Sequence, residues 1–170
     1  QEQNSYAGVT NKFLARRATR ICVAYPDMER FFPKDKIILT GNPIRPMIEH
    51  LTATREEALA YFSLPPETQR VVLVVGGSLG ARTINEAIGS RLKEWEASGV
   101  ALIWQTGEAF EPQAQQLCQG RDFPHWVSAF IQRMDLAYTL ADVVVSRAGA
   151  SAISELCQLG KPTILVPSPN

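Results

Sequence analysis

Residues 70–82 read Arg-Val-Val-Leu-Val-Val-Gly-Gly-Ser-Leu-Gly-Ala-Arg. The five apolar residues from Val71 to Val75 run without polar alternation, as in a strand covered on both faces of a parallel sheet. The glycines after them turn the chain tightly. Apolar residues then return at Ile84, Ala87, Ile88, Leu92 and Trp95, a helical spacing. Strand, glycine turn and helix in that order form the opening of a βαβ unit.

Outward from this stretch the same alternation repeats. The pattern predicts one helix over residues 81–97, stopped by Ser98-Gly99, and a strand over 100–104. A helix over 110–118 closes at Gln119-Gly120, and a short strand follows over 125–127. Then come a helix over 134–140, a strand over 141–145, a helix over 150–159 ended by Gly160, and a strand over 162–166. Five strands alternating with four helices specify a doubly wound α/β fold with a parallel sheet. Right-handed crossovers place the turn after each strand on one edge, so residues 76–80 and 146–149 should share a crevice.

Residues 1–44 read differently. Residues 8–20 are amphipathic and basic, with Lys12, Arg16, Arg17 and Arg20, and are expected to form a helix. Short strands are expected over 21–25 and 37–40. Gly41-Asn42-Pro43-Ile44-Arg45-Pro46 is a stiff, turn-rich junction. The expected division is therefore the tail of a preceding domain and a linker over 1–44, and an α/β domain over 45–170. A start at Gln1 and a stop at Asn170, just after a strand and Pro-Ser-Pro, suggest a piece of a longer protein.

Composition narrows the function. With 45% hydrophobic and 20% charged residues the chain is ordinary globular material, not a disordered or fibrous one. Seventeen basic residues balance seventeen acidic ones, which argues against nucleic acid as a partner. No run approaches the roughly 18 apolar residues of a membrane span. Cys22, Cys118 and Cys157 are too scattered for a disulfide framework or a zinc knuckle. His50 and His125 stand far apart, so neither a metal site nor a Ser-His-Asp triad is expected. No cofactor or metal is called for.

Two stretches can carry chemistry. In Gly76-Gly77-Ser78-Leu79-Gly80-Ala81 the glycines let backbone approach a ligand, and the helix start offers N–H groups to an anion, most naturally a phosphate. It is not a dinucleotide fingerprint: Ser78 and Ala81 stand where glycines are needed, and the second strand ends in Trp104-Gln105 without a ribose-binding acid. It is not a Walker A loop either, because Ala81 and Arg82 replace the glycine and lysine. The same turn also serves packing alone, and Ser78 serves equally as a helix cap. The second stretch, Ser146-Arg147-Ala148-Gly149-Ala150-Ser151-Ala152-Ile153-Ser154-Glu155, opens another helix start beside small residues. Glu155 has the two oxygens that a ribose diol requires, or simply complements the helix dipole. Arg147 suits a phosphate or an internal acid. Together the two turns point to a ligand with phosphates and a sugar.

The residues resemble the MurG family of bacterial peptidoglycan synthesis along essentially the whole chain. The resemblance is carried by Glu2-Gln3-Asn4 with Gly8-Val9-Thr10-Asn11, by Gly41-Asn42-Pro43-Ile44-Arg45, and by Gly76-Gly77-Ser78-Leu79-Gly80-Ala81-Arg82. Phe130-Ile131 followed by Met134, and Arg147-Ala148-Gly149-Ala150 through Glu155, complete it in the family's order. It implies the Rossmann-like C-terminal half of a GT-B glycosyltransferase. Such an enzyme moves N-acetylglucosamine from UDP-N-acetylglucosamine to lipid I with inversion, giving lipid II, at the cytoplasmic face of the bacterial inner membrane. The donor is a substrate, not a cofactor. The lipid I acceptor and the membrane surface would be met chiefly by the N-terminal domain.

Carried over by motif, the resemblance implies donor contacts from Asn4 and Arg45 on the interdomain side and places Ser78 at the diphosphate. Ile131 would read the uracil through its backbone, with Phe130 beside the base. Ala150, Ser151, Ala152, Ile153 and Ser154 would set the helix start at the diphosphate, and Glu155 would hold the ribose. Gly76, Gly77, Gly80, Arg147 and Gly149 would shape the same site. The family's His before Glu-Gln-Asn is Gln1 here, and its sugar-gripping Gln residues lie beyond Asn170. Weak donor binding and no transfer by this stretch alone are therefore expected. A nucleotide-sugar epimerase on the same architecture and a non-catalytic nucleotide-binding module are the rival readings; the epimerase needs an acid/base set that the residues do not offer.

Overall fold

The computed structural model describes residues 1–168 and divides into two compact units, Gln1–Arg45 and the chain from Pro46 onward.

In the first unit α1 (Val9–Leu14) precedes two parallel strands, β1 (Ile21–Val23) and β2 (Ile37–Leu39), with Ile21 opposite Ile37. Short 3-10 turns at Met28–Arg30 and Lys34–Lys36 join the strands. Ala7, Ala15, Ile21, Val23, Met28 and Phe32 form a small core. The helix expected over residues 8–20 is only six residues long. The Arg17 N–H turns back to the Leu14 carbonyl, and Lys36 Nζ donates to the Arg16 carbonyl at 3.1 Å, so the late carbonyls are satisfied from outside the helix.

Glu2 organises the start of this unit. It is 3% exposed. Its Oε1 accepts from the Asn4 N–H at 3.0 Å, and its Oε2 accepts from the Gly8 N–H at 2.9 Å and from Asn11 Nδ2 at 3.0 Å. Burial pushes the carboxyl up, but the hydrogen bonds from Asn11, Gly8 and Asn4 outweigh it and hold the group below its ordinary value of 4.5.

The second unit is a five-stranded, wholly parallel sheet. Its strands are β3 (Val71–Val75), β4 (Ala101–Gln105), β5 (His125–Ser128), β6 (Val143–Arg147) and β7 (Thr163–Val166), in the order β5-β4-β3-β6-β7. Its helices are α2 (Pro46–Glu49), α3 (Arg55–Tyr61), α4 (Arg82–Gly89), α5 (Leu92–Ser98), α6 (Glu111–Cys118), α7 (Met134–Leu140) and α8 (Ala150–Leu159). On one face Val74, Leu102 and Trp104 pack with Ile84, Leu92 and Ala114 from α4, α5 and α6. On the other, α7 packs on β3 and α3, and α2 packs on α7 and α8. β4 is buried at every position, as an unalternating apolar strand requires.

Several boundaries differ from the pattern reading. The helix expected over 81–97 is two helices, because Gly89 and Ser90 are weak helix formers and the chain re-nucleates after Arg91. The strands thus alternate with five helices, not four. The strand expected over 141–145 starts two residues later: Ala141 still donates to the Ala137 carbonyl of α7, and the Asp142 carboxylate accepts from the Val71 N–H at 2.7 Å. The pattern reading assigns no element to residues 46–65, where α2 and α3 form. α3 begins with a reciprocal capping box, in which Thr54 Oγ1 accepts from the Glu57 N–H at 3.2 Å and Glu57 Oε2 from the Thr54 N–H at 3.0 Å.

Two stability tests follow from these contacts. Thr54→Ala should lower the unfolding free energy by about 1 kcal/mol while Thr54→Ser leaves it unchanged, measured from urea midpoints. The Glu2 contribution is complete above its unfolded pKa and fades as pH falls through the lower folded value. The stability gap between wild type and Glu2→Gln should therefore shrink below pH 4.5; a gap constant from pH 7 to pH 3 would contradict the assignment.

Candidate functional site

The strand order places a topological switch point between β3 and β6. From β3 the chain winds one way through α4 and α5 to β4, whereas β6 is reached from the far edge through α7. Parallel doubly wound sheets bind ligands at such a point, outside the carboxyl ends of the strands. Here Val75 pairs with Ser146, so the turns that leave β3 and β6 start one strand spacing apart, about 4.8 Å. The Gly76–Gly80 turn and the start of α8 at Gly149 thus lie on one rim.

The glycine turn is closely shaped. The Gly80 N–H donates to the Gly77 carbonyl at 2.9 Å. Gly77 and Gly80 have φ of +85° and +77°, a region that glycine enters freely. A Cβ on Gly80 would stand 2.0 Å from the Thr106 carbonyl oxygen, and one on Gly76 2.4 Å from the Ala81 nitrogen. These two positions are reserved by packing. Gly149 differs: its φ is −80° and a Cβ there would meet nothing within 4 Å. The fold itself does not require glycine at 149, and the space beside it is open.

Both helices that leave this rim begin without a side-chain cap and without an acid in the first turn. α4 starts after Ala81 and α8 after Gly149. Their first N–H groups lack intrahelical acceptors, and the dipoles make the rim positive. Ser78 is exposed at the tip of the turn and hydrogen-bonds to no other described residue.

The remaining expected site residues fall as follows. Arg147 meets no carboxylate among the described residues: its NH2 donates to Thr83 Oγ1 at 2.7 Å and its NH1 to the Pro167 carbonyl at 2.6 Å, tying the first turn of α4 to the segment after β7. Ala150, Ser151 and Ala152 make the first turn of α8, with Ile153 donating to the Gly149 carbonyl. Ser154 Oγ bonds back to the Ala150 carbonyl at 2.9 Å. Glu155, one and a half turns into α8, is 6% exposed and accepts from Tyr138 Oη of α7 at 3.3 Å. Phe130 and Ile131 follow β5 on the same edge of the sheet; Phe130 is 55% exposed and the Ile131 side chain is buried. Asn4 and Arg45 belong to the first unit, where the Asn4 backbone is held by Glu2.

Residues that the sequence reading did not single out also shape the rim. Gln105, Asn85, Thr106 and Gly107 support the glycine turn from β4 and α4, and Tyr138 orients Glu155. Gly107 at a strand end was the one visible signal; the others look like polar residues at core spacing. Among the described residues, no helix is long and apolar enough to cross a membrane.

The turn geometry yields a paired expectation. Gly80→Ala should destabilise the protein by about 1–3 kcal/mol from backbone strain alone, and more from the Thr106 clash, whereas Gly149→Ala should stay within ~0.5 kcal/mol of wild type. Thermal unfolding of the two variants side by side tests it; equal Tm values would refute the reading of the turn.

Known proteins resemble this chain in sequence and fold. A transferase of Parabacteroides distasonis, named UDP-N-acetylglucosamine--N-acetylmuramyl-(pentapeptide) pyrophosphoryl-undecaprenol N-acetylglucosamine transferase, is 60% identical over the whole of this chain, which covers 46% of that relative. A protein of the same name from Porphyromonas gingivalis is 58% identical, again over the whole chain and 45% of the relative. The chain therefore spans about half the length of these relatives. The crystal structure of Acinetobacter baumannii MurG superposes with a TM-score of 0.66 at 29% identity, over 99% of this chain and 45% of that one. The glycosyltransferase family 28 C-terminal domain matches residues 71–170, the stretch that contains the whole rim built above from β3 to the segment after β7, and to that family the chain belongs.

Proposed function

We propose that this chain is the donor-binding part of an inverting glycosyltransferase that moves N-acetylglucosamine from UDP-N-acetylglucosamine to lipid I, giving lipid II, at the cytoplasmic face of the bacterial inner membrane. One observation carries the reading: two uncapped helix starts on adjacent strands at the switch point, with an exposed Ser78 at one and a buried carboxylate, Glu155, along the other. The names of the close relatives support the same donor and acceptor.

In this proposal the diphosphate lies across the Gly76–Gly80 turn and the first turn of α8, with Gly149 leaving it room. Glu155, oriented by Tyr138, takes the ribose hydroxyls. The backbone at Ile131 reads the uracil, with Phe130 beside the base. A base deprotonates the acceptor 4-hydroxyl, that oxygen attacks the anomeric carbon, the bond to the β-phosphate oxygen breaks, and UDP leaves with inverted stereochemistry at the sugar. Negative charge grows on the β-phosphate, where fixed N–H donors and helix ends stabilise it most. A single helix end gives about 0.3–2 kcal/mol, so orientation of donor and acceptor must supply much of the remainder.

Calorimetric titration tests the assignment. The protein should bind UDP and UDP-N-acetylglucosamine in preference to NAD. Glu155→Ala should weaken UDP binding by about 1.5–3 kcal/mol, the worth of a hydrogen bond to a charged group, with folding checked by circular dichroism. NAD binding as tight as UDP, or a folded Glu155→Ala with unchanged affinity, would refute the donor role.

A further inference from the structure

Gln105 is the last residue of β4 and is only 3% exposed. A primary amide so deeply buried must spend its hydrogen-bonding groups on something. Its Nε2 donates to the Gly77 carbonyl at 2.9 Å, across 28 residues of sequence. The same carbonyl accepts the Gly80 N–H, so both of its lone pairs are engaged on the protein side of the turn.

This contact fixes more than a carbonyl. The Gly77–Ser78 peptide bond is trans, and in a trans peptide the C=O and the following N–H point in opposite directions. With the Gly77 oxygen held toward Gln105, the Ser78 N–H is directed away from it. Gly77, Ser78 and Leu79 are all exposed, so the outer side of this turn faces solvent.

We propose that Gln105 is a positioning residue for the anion site: by pinning the Gly77 carbonyl inward, it turns the Ser78 N–H toward the diphosphate. This rests on the donor reading given above. Without the pin, only the Gly80 N–H would hold the peptide between Gly77 and Ser78 against a flip, and glycine at φ +85° bears no side chain to resist it. A flip would exchange an N–H for a carbonyl oxygen facing the phosphate.

Gln105 is itself held. Immediately after it, the Thr106 carbonyl accepts from Asn85 Nδ2 at 2.7 Å, and Asn85 Oδ1 accepts from Trp104 Nε1 at 3.0 Å. A Cβ on Gly107 would come within 2.6 Å of the Gly80 nitrogen, so the two turns are in direct contact. The end of β4 therefore cannot drift relative to the turn that it supports.

The experiment compares wild type with Gln105→Met, which keeps the volume but removes the donor, and Gln105→Glu, whose carboxylate repels the Gly77 oxygen. Binding of UDP and of uridine is measured by calorimetry, with urea unfolding to confirm the fold. The expected result is UDP binding weakened by about tenfold or more, the loss of a charge-assisted hydrogen bond, with uridine affinity unchanged in whichever variant folds. Unchanged UDP affinity, or equal losses for UDP and uridine, would overturn the role of Gln105 and leave the donor reading standing. Failure of wild type to bind either ligand would overturn the donor reading, and this role with it.

Discussion

The pairing of β3 with β6 is the contact on which the rest depends. β3 is the first strand of the sheet in sequence and lies at its centre, so the chain must build outward in both directions. Where it reverses, two neighbouring strand ends send helices to opposite faces, and no helix covers the gap between them. Register then does the remaining work. With Val75 opposite Ser146, the Gly76–Gly80 turn and the Gly149 helix start leave the sheet at one level. A shift of one residue would turn the side chains of β6 to the wrong face of the sheet.

The rim is positive although the chain as a whole is neutral. Its charge does not come from a lysine cluster. It comes from two oriented helices whose first N–H groups are unsatisfied, which suits a ligand bearing concentrated negative charge. Arg147 is engaged as a strut between Thr83 and Pro167, and Arg82, the first residue of α4, pairs with Glu86. Structural ties of this kind leave the backbone to face the ligand.

A glycine turn can approach a ligand closely because it has no side chains, and for the same reason it cannot hold itself in place. The support comes from the next turn along the sheet. Gln105 reaches the Gly77 carbonyl, Asn85 fastens Thr106, and Gly107 lies against Leu79 and Gly80. Trp104, fully buried and bonded through its indole N–H to Asn85, anchors this network in the core. Packing of the core and shape of the site are here the same set of contacts.

The order of elements from β3 to β7 was legible in the residues because unbroken apolar runs, glycine turns and helical spacing are local properties. α7 and α8 match their predicted bounds residue for residue. Local pattern failed where local preferences were weak or were overridden. Gly89-Ser90 breaks a helix whose apolar spacing continues through it, and Asp142 caps the backbone of another strand instead of extending its own. Glycines 76, 77, 80 and 149 and the α8 start stood out because glycine before a helix has a physical meaning in sequence alone. Gln105, Asn85 and Tyr138 did not, because each is a polar residue whose partner lies 17 to 28 positions away. The sequence by itself thus determined which segments become strands and helices and where backbone could meet a ligand. Only the tertiary structure decided which of these turns are neighbours, what holds them and which way their N–H groups point, because those depend on strand order and register, which bring together residues that no local pattern connects.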